Sequence, residues 1–344
     1  MVLIVVEIIL VILLISILIL VFFTRKKPNI ISEKSFFVLG TIIYLKAFGK
    51  NAEKAINEAI ECLINIDDKM SVFKDNSEIS RINKNAGISS QVVSKDTFYL
   101  IDKSIKYSEL LEGTFDPTIK PLVSLWGIGT KSQRIPSNAD IKDKLALVNY
   151  KDIILNRNDN SIALKRQNQS IDVGGIAKGY AADEVITIFK KYSIKSALID
   201  LGGNIFVLGT KDNDSFWNVG IQNPFGTRGE YIGILSLKDK SIVTSGNYER
   251  YFTKGNDRFH HIIDPHTGYP SKSRIISATI ISDKSLDGDG LSTGVYIMGV
   301  EKSLNIIESL DGIDAIFITE DKNIYLTSGI NANFKLSNDE FICN

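Results

Sequence analysis

The chain is 344 residues long, enough for one large or two ordinary domains, and 44% of it is hydrophobic. Its 40 Lys and Arg are balanced by 40 Asp and Glu, so no basic surface argues for a nucleic-acid partner. The two cysteines, Cys62 and Cys343, exclude a disulfide framework and a cysteine-built metal site. In chain order, the first predicted element is Val2–Phe23, VLIVVEIILVILLISILILVFF, interrupted only by Glu7 and Ser16. A run of roughly 20 apolar residues spans a bilayer as a helix. A cleaved signal peptide would show a basic start, a shorter apolar run and a small-residue cleavage site. None is visible, so residues 1–24 read as an uncleaved single-pass anchor, with no cysteine nearby to carry a lipid. Residues 25–35, RKKPNIISEKS, follow as a short polar linker.

From 36 to 340 the pattern is that of one α+β domain, with no Pro- or Ser-rich divider and no internal repeat. FFVLGTIIYLKAF (36–48) reads as a strand pair or one bent strand, rich in β-branched and aromatic residues. Ala55, Ile56, Ala59, Ile60, Leu63 and Ile64 recur at helical spacing, and Cys62 on that helix fits a small buried hydrophobe. A second helix runs from Ser94, a suitable N-cap, to Glu112, with Gly113 as its stop. Further helical patterns cover 175–192, 290–299 and 301–310. Between them lie short strands: SALIDLG, NIFVLG, WNVGIQ, YIGILSL, SIVTSG, SATIIS, AIFIT and NIYLT. Cys343 falls at a terminus expected to fray.

Four stretches could carry chemistry. IDVGGIAKGYAAD (171–183) runs from a strand-like segment through Gly174-Gly175 into a helix bearing Lys178. It fits neither a P-loop nor a dinucleotide fingerprint, because Tyr180 and Ile176 stand where those motifs need Lys and Gly. Two readings remain: an anion site, where free N–H groups meet a ligand that glycine lets approach, or an ordinary tight turn. In SLDGDGLSTGVYIMG (285–299), Asp289 and Thr293 are four apart and share one helical face. A carboxylate with a hydroxyl is a hard-oxygen pair suited to magnesium; the alternative is that Asp289 caps the helix. HHIIDPHTGYP (260–270) holds all three histidines, a zinc cluster or structural groups around a turn. In EGTFDPTIKPLVSLWGIG (112–129), glycines and prolines predict an irregular loop whose Phe115 and Trp126 are core or stack on a flat ligand.

Taken in order, MSVFKDNSEISRIN, GTFDPTIKPLVSLWGIG, IDVGGIAKGYAAD, ALIDLGGNIFVLG, VTSGNYERYF, HHIIDPHTGYP and GDGLSTGVYIMG resemble the motifs of the ApbE family of FAD:protein FMN transferases. The resemblance runs from Phe36 to beyond Gly299. It implies that Leu39 and Phe73 wall a flavin site, that Thr114, Phe115, Asp116, Asp172 and Lys178 hold FAD, and that Ile263 packs on it. It further implies magnesium between the Gly175 carbonyl and the side chains of Asp289 and Thr293. The implied reaction moves the FMN half of FAD onto a Thr or Ser hydroxyl of a target protein and releases AMP. His261 is the candidate base because an ordinary histidine titrates near neutrality; His260 is the alternative. A magnesium-dependent FAD pyrophosphatase and a non-catalytic FAD-binding protein share the same binding residues. Acceptors would be flavoprotein subunits of membrane redox complexes. The family works mostly outside the cytoplasmic membrane, whereas Arg25, Lys26 and Lys27 after the anchor favour the cytoplasm; the expectation sides with the family. Gly288 and Gly290 stand where the family more usually has alanine, which would loosen the start of that helix.

Overall fold

The computed structural model describes residues 30–211, 215–255 and 257–344. The apolar run 2–23 lies outside the described residues; among those described, no helix is long and apolar enough to cross a membrane. The polar stretch before residue 36 is not all linker. Strand β1 (Ile31–Val38) takes in its last five residues and pairs along its whole length with β2 (Thr41–Phe48). The two-residue turn is Leu39-Gly40, with φ of 54° and 71°. Both angles suit the primed turn that matches strand twist, but the first is held by a leucine, which the left-handed region disfavours.

Helix α1 (Ala52–Met70) follows, then α2 (Glu78–Lys84), and β3 (Gln91–Val92) leads into α3 (Lys95–Leu110). Ser94 caps α3 by accepting a hydrogen bond from the Thr97 N–H, as its position predicts. The stretch read as an irregular loop contains α4 (Lys120–Trp126), which Pro121 opens and Gly127, at φ 59°, closes. After α5 (Asn138–Leu145), β4 (Ile153–Asn156) and β5 (Ser161–Leu164) form a small sheet with β3.

The main sheet is built from β1, β2, β6 (Ser196–Leu201), β7 (Asn204–Leu208), β10 (Lys240–Gly246), β13 (Ile275–Ser282), β14 (Asp314–Thr319), β15 (Asn323–Leu326) and β17 (Ile342–Cys343), in that order. β17 pairs in parallel with β15, so the chain end, with Cys343, is a strand rather than a frayed tail. Alternate residues sort to the two faces. Ile43, Leu45, Ile199, Ile280 and Phe317 face a helical layer of α1, α6 (Ala177–Lys191) and α7 (Ser285–Met298). Val207, Ile242, Ile281 and Ile316 face a second core, roofed by the sheet of β8 (Trp217–Gln222), β9 (Tyr231–Leu237) and β16 (Phe334–Leu336). β11 (Tyr251–Lys254) and β12 (Asp257–His260) form a separate hairpin, and α8 (Val300–Glu308) follows α7. Cys62, half-buried on α1, has its thiol pushed up to about 11 by burial, which suits packing and not reactivity.

Candidate active site

The site lies where the N-terminal turn of α6 crosses α7. Gly179 makes that crossing possible. A Cβ there would sit 2.4 Å from the Ser285 carbonyl oxygen and 2.7 Å from the Asp289 Cβ. Helix α7 begins at Ser285, five residues before its predicted start. Asp289 is therefore an interior residue and caps nothing on its own helix. Its Oδ2 accepts instead from the Gly179 N–H of α6 at 2.8 Å. The early start also corrects the reading of Gly288 and Gly290. They do not loosen the helix; they let it press against Val243 and the Tyr107 ring, where added Cβ atoms would come within 2.9 and 2.6 Å.

Around this crossing the predicted residues converge. The Asp289 Oδ1 lies 3.5 Å from Lys178 Nζ, which also donates to the Gly174 carbonyl at 3.2 Å. One turn on from Asp289, the Thr293 hydroxyl lies 3.9 Å from where a Gly175 side chain would project, and Phe115 Cε2 lies 3.3 Å from the same point. Any side chain at 175 would fill the gap between Thr293 and the Phe115 ring. Thr114 stands against the next residue of α7, Gly294, and donates its hydroxyl to the Leu111 carbonyl at 2.8 Å. Asp172 is tied to the same loop: its N–H donates to the Pro117 carbonyl at 2.8 Å, and its Oδ1 accepts from the Gly174 N–H at 2.9 Å.

Other predicted residues are placed differently. Asp116 has both carboxylate oxygens engaged by its own fold, Oδ1 with the N–H and hydroxyl of Thr118 and Oδ2 with the Tyr150 N–H. Its burial raises its pKa, against the pull of those donors. Ile263 is buried beside Leu122, Trp126 and Ile141. Trp126, whose role composition left open, is core: it is fully buried and donates to the Gly268 carbonyl at 2.9 Å. Phe73 stands 88% exposed, with Lys120 Nζ 5.6 Å from its ring centre. Leu39 holds the tip of the first hairpin, partly buried against the main core.

The histidines do not cluster as a zinc site, and no group of three metal-binding side chains occurs among the described residues. His266 donates to the Glu112 carbonyl at 3.1 Å and lines, with Tyr150 and Asp116, a cavity of about 370 Å³ on the flank of the 112–116 loop. His260 is buried and donates from Nε2 to the Ser271 carbonyl at 2.9 Å. His261 sits at the base of the β11–β12 hairpin, where its N–H and its Nδ1–H both meet the Arg250 carbonyl, at 3.1 and 3.2 Å. A carbonyl can only accept, so Nδ1 carries the proton and Nε2 keeps a free lone pair. Burial, with the charges of Arg250 and Lys178, pushes its pKa down to about 3, not the near-neutral value expected of an ordinary histidine.

Arg250 and Ser245 are functional candidates that pattern reading passed over. Arg250, an exposed residue, extends over Gly129 in the field of Asp172 and Glu249. Its guanidinium makes no hydrogen bond or ion pair at contact distance among the described residues. Ser245, at the end of β10, has its hydroxyl 3.2 Å from that of Thr293. Both lie inside VTSGNYERYF, one of the resembling motifs, so their segment was visible while their roles were not.

Residues 39–317 match the sequence model of the ApbE family. The chain is 36% identical over 300 residues to the FAD:protein FMN transferase of Klebsiella pneumoniae (strain 342), covering 87% of this chain and 93% of that one. Among solved structures, the ApbE protein of Thermotoga maritima superposes with a TM-score of 0.81 at 28% identity, covering 88% of this chain and 99% of that one. A histidine-to-glycine mutant of the flavin transferase ApbE from Vibrio cholerae gives 0.77 at 25% identity, covering 88% and 99%.

Proposed function

The chain belongs to the ApbE family, and from that premise we propose that it transfers the FMN half of FAD to a Ser or Thr hydroxyl of an acceptor protein. The observation that carries the reading is the convergence of Lys178, Asp289, Thr293 and Gly175, with His261 near enough for the Lys178 charge to help lower its pKa. The donor set suits magnesium: one buried carboxylate, one hydroxyl and one backbone carbonyl, all hard oxygens, with room left for phosphate or water. Asp289 has only one oxygen committed to a short hydrogen bond, which leaves Oδ1 for a cation. When bound there, magnesium would supply positive charge against the phosphate oxygens.

The residues of the chain supply the rest. Lys178 and Arg250 face the pyrophosphate with charge, and glycines 174 and 175 let it approach the backbone. Thr114, Phe115 and Asp172 shape the FAD site around them, with Asp116 and Ile263 holding the segments behind it. Leu39 and Phe73, at two exposed turns, wall the flavin. In the transfer, the acceptor oxygen bonds to the phosphorus of the FMN half and the P–O bond to AMP breaks. The hydroxyl proton goes to His261 Nε2, whose tautomer the Arg250 carbonyl fixes. The acceptor is a flavoprotein subunit of a membrane redox complex. Residues 1–24 anchor the enzyme in the cytoplasmic membrane, with its domain on the outer side.

The test combines binding and chemistry on one variant. His261→Ala should leave FAD affinity within a few-fold while single-turnover transfer falls by roughly 10²–10⁴, the range for a lost general base. Parallel loss of affinity and rate would make His261 a binding or structural residue. Release of FMN and AMP in the presence of an acceptor, without covalent flavin on it, would point to hydrolysis of FAD.

A further inference from the structure

Asp183 is a half-buried carboxylate that the transfer does not use, and partial burial pushes its pKa up to about 6. It sits two turns into α6, yet both its oxygens serve α7. Oδ1 accepts from the Ser285 N–H at 2.8 Å and Oδ2 from the Leu286 N–H at 3.0 Å. Those are the first two residues of α7, whose own N-cap, Lys284, makes no side-chain capping bond. The arrangement is reciprocal. Helix α6 likewise has no side-chain cap from Ile176, and Asp289 of α7 supplies one at Gly179. Each helix is thus capped by a carboxylate of the other, where the two pack too tightly at Gly179 for any side chain. The two bonds to Asp183 hold α7 against sliding or turning on α6. Asp289 lies one turn past Asp183's partners, and Thr293 one turn further, so the same bonds set where both point relative to Gly175.

We propose that Asp183 is a positioning residue for the Asp289–Thr293 pair, acting through the start of α7 and not by touching metal or FAD. The proposal rests on the reading of that pair as magnesium ligands. The experiment follows quenching of flavin fluorescence as FAD binds the purified full chain, with magnesium chloride titrated. Asp183→Ala should raise the magnesium concentration for half-maximal enhancement of FAD binding at least tenfold, with FAD binding in magnesium-free buffer changed less than threefold. Asp183→Asn, which keeps one acceptor oxygen for the same N–H groups, should fall between it and wild type, and covers the case in which the alanine variant folds poorly. Ile232→Ala, in the second core on the far side of the sheet, is the control for lost stability and should leave the magnesium midpoint in place. The proposal is overturned if the two Asp183 variants keep the wild-type magnesium midpoint, or if Ile232→Ala shifts it equally. Asp289→Asn run alongside separates the premises: if it too leaves the midpoint unchanged, the metal reading has failed and the proposal with it.

Discussion

With its pKa pushed down to about 3, His261 stays neutral through the range in which an ordinary histidine titrates. The pH dependence of kcat/KM reports ionisations of the free enzyme. It should therefore show no acid limb from His261 between about pH 5 and 8; a limb near 6.5 that disappears in His261→Ala would contradict this. Stability carries the same signature with a definite sign. Between pH 6.5 and about 3 the unfolded chain binds a proton at this position that the native chain refuses. The contribution is complete above 6.5 and is lost as pH falls, so the thermal midpoint of His261→Ala should drop less from pH 7 to 5 than that of wild type. Arg250→Ala should weaken FAD binding about tenfold or more, as for a lost hydrogen bond to a charged group worth about 1.5–3 kcal/mol. Unchanged affinity in fluorescence titration would remove Arg250 from the phosphate site. Asp289→Asn can still accept from the Gly179 N–H, so its thermal midpoint without magnesium should stay close to wild type. Its response to magnesium should vanish, and a retained response would leave Asp289 as a cap alone.

The elements that were legible are those whose signal is local. The first hairpin, α1 and α3 announce themselves by β-branched runs, helical periodicity and Ser94. Helix α4 was hidden because Pro121 reads as a breaker, although at the first turn it removes an N–H that has no partner anyway. The start of α7 was hidden for a related reason. Gly288 and Gly290 count against a helix when only propensity is weighed, and the Val243 and Tyr107 side chains that require them come from strands and helices far along the chain. The two influences predict opposite signs for Gly290→Ala. Propensity alone would stabilise by about 1 kcal/mol, whereas a Cβ 2.6 Å from the Tyr107 ring should destabilise by about 1–3 kcal/mol. Tyr107 cannot easily yield, because its hydroxyl donates to Asp287 on the same helix. Chemical denaturation decides between them, and a stabilised variant would show that the crossing has slack.

At the scale of the whole molecule, the α+β organisation was legible from composition and pattern, and the resembling motifs in order named Gly175, Asp289 and Thr293, which the fold brings together. The sequence did not reveal Arg250 or Asp183, whose roles exist only once segments distant in sequence meet. The proposed membrane anchoring through residues 1–24 is testable on cells. Protease added to intact spheroplasts should degrade the domain, and full protection would place it in the cytoplasm. The reciprocal capping of α6 and α7 also bears on how the protein is made. Its bonds join residues 110 and 102 positions apart, Gly179 with Asp289 and Asp183 with Ser285. Contacts of such separation form only after a long loop has closed. A chain still being synthesised, with residue 289 not yet clear of the ribosome, holds an α6 whose amino end is bare. The crossing that brings Asp289 and Thr293 to Gly175 is thus completed only in the nearly finished polypeptide.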